Sequence, residues 1–209
     1  MKRTTLHRAT GVAALALTMS FGLAACGNDD SSTQASGKSM SDTKSSSGSA
    51  TDAGAQTFGP GCSAVPASGN GSFNGMATAP VASAASANPL LKTLVAAVTK
   101  AGLVDTLNSA DALTVFAPTD DAFAKIPSAD LNKVLADKAT LTKILTHHVV
   151  GEKLDPMSID GSHDTLNKDS VTVKGDENGM TVDGAKVLCG NIPTSNATVY
   201  VIDSVLMPS

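Results

Sequence analysis

The chain is 209 residues long, enough for one well-cored domain and too short for two once its low-complexity N-terminal stretch is set aside. Nineteen acidic against fifteen basic residues leave a formal charge of −4, a balance that repels phosphate and disfavours nucleic-acid binding. With no Trp, one Tyr and five Phe, the chain has little material for a sugar- or base-stacking surface.

Residues 1–25 read as an export signal. Lys2, Arg3 and Arg8 supply a positive start, an apolar stretch begins at Val12 to Leu17, and small residues precede Cys26. Thr18 and Ser20 interrupt the apolar run, which is too short for a spanning helix. Leu23-Ala24-Ala25-Cys26 resembles the lipobox of bacterial lipoproteins, in which the cysteine thiol is diacylated and the signal is cut just before it. An ordinary cleaved signal with a coincidental cysteine is the plainer reading. The lipobox resemblance favours Cys26 as a lipidation site whose acyl chains, palmitate among them, anchor the protein to the outer face of the membrane. Loss of residues 1–25 removes three basic residues and no acidic one, leaving twelve against nineteen, a net charge of −7.

With Cys26 acylated, Cys62 and Cys189 are the remaining pair, and an oxidising compartment makes them the expected disulfide. The three cysteines lack zinc-ligand spacing, and neither metal nor cofactor is expected.

From Cys26 through residue 57 the sequence is almost all Ser, Thr, Gly, Ala and Asp with a few Lys and has no apolar periodicity, so a flexible tether is expected. Residues 58–80 form a Gly/Pro-rich lead-in carrying Cys62, and the packed domain is expected over 81–209. Leu90, Leu91, Leu94, Val95 and Val98 fall on one helical stripe; Asn88 reads as its N-cap, Pro89 as its first residue and Gly102 as its stop. Leu103, Val104 and Leu107 continue as a short second turn. The period then changes: Leu113 to Phe116 is a brief apolar strand ended by Pro118.

Two more helices follow, one with Leu131, Val134 and Leu135, the other with Leu141, Ile144, Leu145 and His148 on one face. From Val149 onward the pattern is strand-like. Val171 and Val173, then Met180 and Val182, alternate with polar residues, and Asp183-Gly184 is a two-residue hairpin signal. Residues 198–206 place apolar side chains on both faces, as a central strand requires. Helices first and antiparallel strands later give an α+β class.

Three ordered segments carry a family resemblance. TVFAPTDDAFAKIP (114–127) resembles the first signature of the fasciclin domain, ATVYVIDSVLMP (197–208) the second, and HHVV (147–150) the Tyr-His segment between them. The resemblance covers about residues 75–208. The lipobox, the tether, Cys62 and the stretch from Cys189 to Pro208 further resemble actinobacterial secreted and lipoprotein antigens of the mycobacterial MPT70 and MPT83 type. It implies helices packed on an antiparallel β-wedge in a single domain, displayed on a cell surface for adhesion or for protein or matrix binding, without enzymatic activity. In animal members an Asp-Ile pair before the second signature binds integrin. Asn191-Ile192 stands there, and His147 replaces the tyrosine, so both departures weigh against integrin while leaving Asn191, Ile192 and His147 open to another partner.

Asp120 and Asp121 are the obvious candidates for acid–base chemistry, yet they follow Thr119 at a helix start, where a hydroxyl cap and carboxylates satisfy unpaired N–H groups. Phe116 and Phe123 are expected in the core, and His148, on the apolar stripe, is expected as a hydrogen-bonded structural residue. His147 should point away from His148 toward solvent. No G-x-S-x-G, HExxH or phosphate loop occurs, so no catalytic residue is assigned. The expected binding faces are the loops at 155–164, 176–178 and 190–196, then the helical face with Lys133, Lys138 and Lys143. Two other functions compete: solute capture for a transporter, and a host-facing signal acting through the acyl group.

Overall fold

The computed structural model describes residues 52–208; Cys26 and the expected export signal and tether, as far as residue 51, lie outside the described residues. Two strands make its centre, β1 (Leu113–Pro118) and β7 (Ala197–Ile202), and all six residues of each are buried. They run parallel, in register from Leu113 opposite Ala197 to Pro118 opposite Ile202. Leu113, Val115, Ala117, Ala197, Val199 and Val201 face a core shared with the helices, whereas Phe116, Tyr200 and Ile202 face a second core enclosed by the sheet. With both faces covered, the strand period of two separates two apolar sets rather than apolar from polar.

The remaining strands are β2 (Val149–Val150), β3 (Gly161–Asp164), β4 (Ser170–Lys174), β5 (Thr181–Val182) and β6 (Ala185–Pro193), giving a seven-stranded sheet in the order β2-β1-β7-β6-β5-β4-β3. All pairs except β1–β7 are antiparallel. The class is α+β, with one parallel pair that an all-antiparallel wedge does not include. That pair joins strands distant in sequence, so no hairpin dictates its direction. The sheet also rolls on itself. Val150 bridges Thr165, and the Leu166 N–H donates to the Val149 carbonyl at 2.8 Å, so the turn after β3 covers the outer edge of β2.

The helices are α1 (Phe73–Ala77), α2 (Val81–Ala87), α3 (Lys92–Ala101), α4 (Val104–Ser109), α5 (Asp120–Ala124), α6 (Ser128–Ala136) and α7 (Lys138–His147). Gly102, at φ 76°, ends α3 in the left-handed conformation that a residue without Cβ adopts freely, and the Leu103 N–H closes the turn on the Val98 carbonyl at 3.1 Å. The start of α3 differs from the sequence expectation. Asn88 terminates α2 and folds its carboxamide oxygen back to the Leu90 N–H at 3.0 Å, so α3 begins only at Lys92. Asn is as suited to an Asx turn as to an N-cap, and here the turn wins.

Order begins before Val81. Residues 52–57 are turned, with the Ala53 N–H donating to Asn74 Oδ1 at 2.9 Å. Phe58 exchanges backbone hydrogen bonds with Gly190 of β6, Cys62 and Cys189 form a disulfide, and Ser72 caps α1 by accepting from the Gly75 N–H at 3.2 Å. The lead-in is held by a covalent bond and polar contacts rather than by a periodic apolar face, and so gives no helical or strand pattern. Among the described residues no helix is long and apolar enough to cross a membrane.

Candidate functional site

Thr119 is the N-cap of α5: its hydroxyl accepts from the Ala122 N–H at 3.2 Å. Asp120 works on a different helix. Its carboxylate accepts the Thr93 N–H at 2.7 Å, and its own N–H donates to the Leu90 carbonyl at 3.0 Å, so it satisfies one of the open donors at the start of α3. Asp121 is exposed in the first turn of α5, where negative charge is favourable. Phe116 and Phe123 are both buried, in the enclosed and the helical core respectively. Lys125 pairs with Asp203 at 3.0 Å and reaches Ser204, tying the first signature to the second.

His148 is 1% exposed, and both of its ring nitrogens are occupied. Nδ1 lies 2.8 Å from the Ile144 carbonyl and Nε2 accepts the Leu206 N–H at 2.9 Å, which fixes a neutral ring protonated at Nδ1. Burial pushes its pKa down to about 4; the Ile144 carbonyl opposes this and the neighbouring His147 adds to it. His148 therefore splices α7 to the end of the second signature. Tyr200 has a comparable role. Its hydroxyl donates to the Leu154 carbonyl at 3.2 Å, and burial, followed by the charges of Asp155 and Glu177, raises its pKa. Asn196 is likewise structural, donating to the Leu107 and Ala110 carbonyls and accepting the Val81 N–H.

The structure corrects the reading of the other candidates. His147 is 3% exposed, because the turn that bridges to Val150 folds over the end of α7. Its Nδ1 lies 2.8 Å from Asp169 Oδ1 and its Nε2 lies 3.9 Å from Asp183 Oδ2. Ile192 is 1% exposed: it lies opposite Val199, beyond a register shift in β6, and packs in the helical core. Asn191, at φ 57°, sits within that irregular stretch and donates to the Gln56 carbonyl at 3.0 Å. Asn191 and Ile192 thus anchor the lead-in and the core, and only Asn191 has any surface to offer.

Sequence reasoning missed one further feature, an apolar cleft of about 60 Å³ between α2, α3 and α4 on one side and β1 and α7 on the other. Ala85, Val95, Val98 and Leu103 line it, and Leu166, 41% exposed, stands at its margin. Its walls are ordinary apolar faces of helices and of β1, and no periodicity in the sequence encodes how far apart distant elements pack.

Residues 89–208 match the Fasciclin domain family. Immunogenic protein MPT70 of Mycobacterium tuberculosis is 48% identical over 158 residues, covering 72% of this chain and 81% of that protein. Cell surface glycolipoprotein MPT83 of the same species is 45% identical over 165 residues, covering 75% and 74%. The FAS1 domain pair of the insect cell adhesion molecule Fasciclin I aligns with a TM-score of 0.48 at 24% identity, over 56% of this chain and 45% of that one. This chain belongs to the fasciclin domain family.

Proposed function

We propose that the protein is an exported, lipid-anchored member of the family, held at the cell envelope through acylated Cys26, that presents its domain for adhesion or recognition of a protein or matrix partner without catalysis. The observation that carries this reading is where the polar groups of the motifs are spent. Thr119 and His148 direct their side-chain polar atoms to backbone groups and Asp120 gives one carboxylate oxygen to the Thr93 N–H, so these motif residues are spent on the fold rather than on a shared acid–base pair. The relative named as a cell surface glycolipoprotein supports the same location. Replacing Cys26 by Ser should move the folded protein from the membrane fraction to the medium. Unchanged retention of Cys26→Ser in the membrane fraction would contradict the anchor.

A second reading, capture of an apolar solute, is favoured by the cleft beside Leu166. Thermal-shift measurements with small apolar ligands no larger than benzene, in keeping with a space of about 60 Å³, separate the two readings, since specific stabilisation by millimolar ligand or less supports capture.

A further inference from the structure

The His147 ring is enclosed, and it faces two separate turns of the chain as well as the neighbouring His148. Asp169, 2.8 Å from Nδ1, ends the turn between β3 and β4; Asp183, 3.9 Å from Nε2, belongs to the hairpin between β5 and β6; His148, with its ring centroid 6.3 Å away, belongs to the same helix end. Among the described residues, Asp169 and Asp183 are the carboxylates within 4 Å of the ring nitrogens. His148 is neutral and saturated by backbone groups, so only the two carboxylates respond to charge on His147.

The geometry of these contacts depends on that charge. Asp169 Oδ1 lies off the direction of an Nδ1–H bond, so at 2.8 Å the pair makes no aligned hydrogen bond. A protonated ring faces a carboxylate at each nitrogen. A neutral ring can present a proton to only one of them and turns a lone pair toward the other. Both carboxylates are themselves fixed. Asp169 is bonded by the Thr165 hydroxyl and the Asn167 amide, and Asp183 accepts the Thr172 N–H at 2.9 Å from a left-handed backbone position, φ 46°. Neither can swing away to relieve a neutral ring.

The turn ending at Asp169 also carries Leu166, which borders the apolar cleft and whose N–H closes the sheet on Val149. We infer that His147 is a pH-sensitive latch: as an imidazolium it clamps the 165–169 turn and the 183–184 hairpin onto α7, and its deprotonation loosens the turn that flanks the cleft. The sign is opposite to that of His148. Protonation of His147 tightens the local structure, whereas protonation of His148 breaks it.

The test is native-state hydrogen exchange on the domain with its disulfide intact, read as protection factors corrected for the intrinsic pH dependence of exchange. The Leu166 and Thr165 amides should lose about tenfold protection between pH 5.5 and 8, the scale of a charge-assisted contact. The central amides of β7 should not follow. His147→Gln should hold Leu166 at the low, high-pH level at every pH. Should that variant fail to fold, Asp183→Asn, at an exposed position, should reduce the pH dependence. The His147 ring protons of the unaltered protein should titrate together with the Leu166 protection. Protection at Leu166 that is independent of pH, or that changes with pH equally in His147→Gln, would overturn the latch.

Discussion

The carboxylate of Asp120 accepts the backbone N–H of Thr93 at 2.7 Å, so an aspartate at the start of α5 closes the start of α3, which precedes it in the chain. The aspartate beside it, Asp121, is exposed and serves α5 alone. Adjacent identical residues thus have unequal roles. Asp120→Ala should cost about 1 kcal/mol, the usual loss for an N-terminal cap, while Asp121→Ala should cost about 0.3 to 1 kcal/mol, the helix-dipole range. Urea denaturation of the two variants checks this, and a larger loss for Asp121→Ala would contradict the assignment.

Acid should destabilise the fold through His148. Its folded pKa of about 4 lies below the unfolded value of 6.5, so the unfolded state binds the extra proton between those limits. The stability that depends on a neutral ring is complete above pH 6.5 and is lost as pH falls toward 4. The full effect is on the order of 3 kcal/mol, from about 1.4 kcal/mol per pKa unit. Denaturant midpoints measured from pH 7.5 to 4 check the direction, and an imidazole signal of His148 that titrates near 6.5 would contradict it.

Below that window a carboxylate takes over. Burial opposes ionisation of Asp169, but the Thr165 hydroxyl, the His147 ring and the Asn167 amide together hold it at about 2. A lowered folded pKa contributes stability that is present above about pH 4 and is lost as pH falls toward 2. Asp169→Asn should therefore flatten the stability curve between pH 4 and 2 while lowering stability at pH 7.

The disulfide between Cys62 and Cys189 closes a separation of 127 residues and fastens the lead-in to β6. Its removal in a Cys62→Ala, Cys189→Ala variant should cost about 2 to 5 kcal/mol, chiefly by enlarging the unfolded ensemble. Melting temperatures with and without reductant should differ for the unaltered protein and coincide for the variant.

At Gly190 a side chain has no room. An added Cβ would lie 2.3 Å from the Phe58 ring, and Phe58 is also bridged to Gly190 through the backbone. Gly190→Ala should force the lead-in off β6 at a cost of about 1 to 3 kcal/mol, the range for overpacking. Proteolysis near residue 58 should accelerate in that variant.

Much of this fold is legible in the chain because its signals are local. The apolar stripe of α7, the alternation at Val171 and Val173, the Asp183-Gly184 hairpin and the Thr119 cap each depend on near neighbours in sequence. What escapes are relations between distant residues. Nothing near Asn88 indicates that Asp120 will supply a cap for α3, and nothing near His147 indicates that residues 165–169 will fold over it. The parallel direction of β1 and β7 has the same origin, since a buried strand reads alike whichever way its partner runs. Among the candidate site residues, the motif aspartates and His148 read as architecture from local rules, whereas the burial of His147 and Ile192 depends on distant segments and leaves no local signal.

The proposed display at the envelope depends most on Cys26 as the point of attachment. The mass of the mature N-terminal peptide tests it directly: a chain beginning at Cys26 and carrying two or three acyl groups is the predicted result. A peptide with an unmodified Cys26 thiol, or one that still carries residues 1–25, would contradict it.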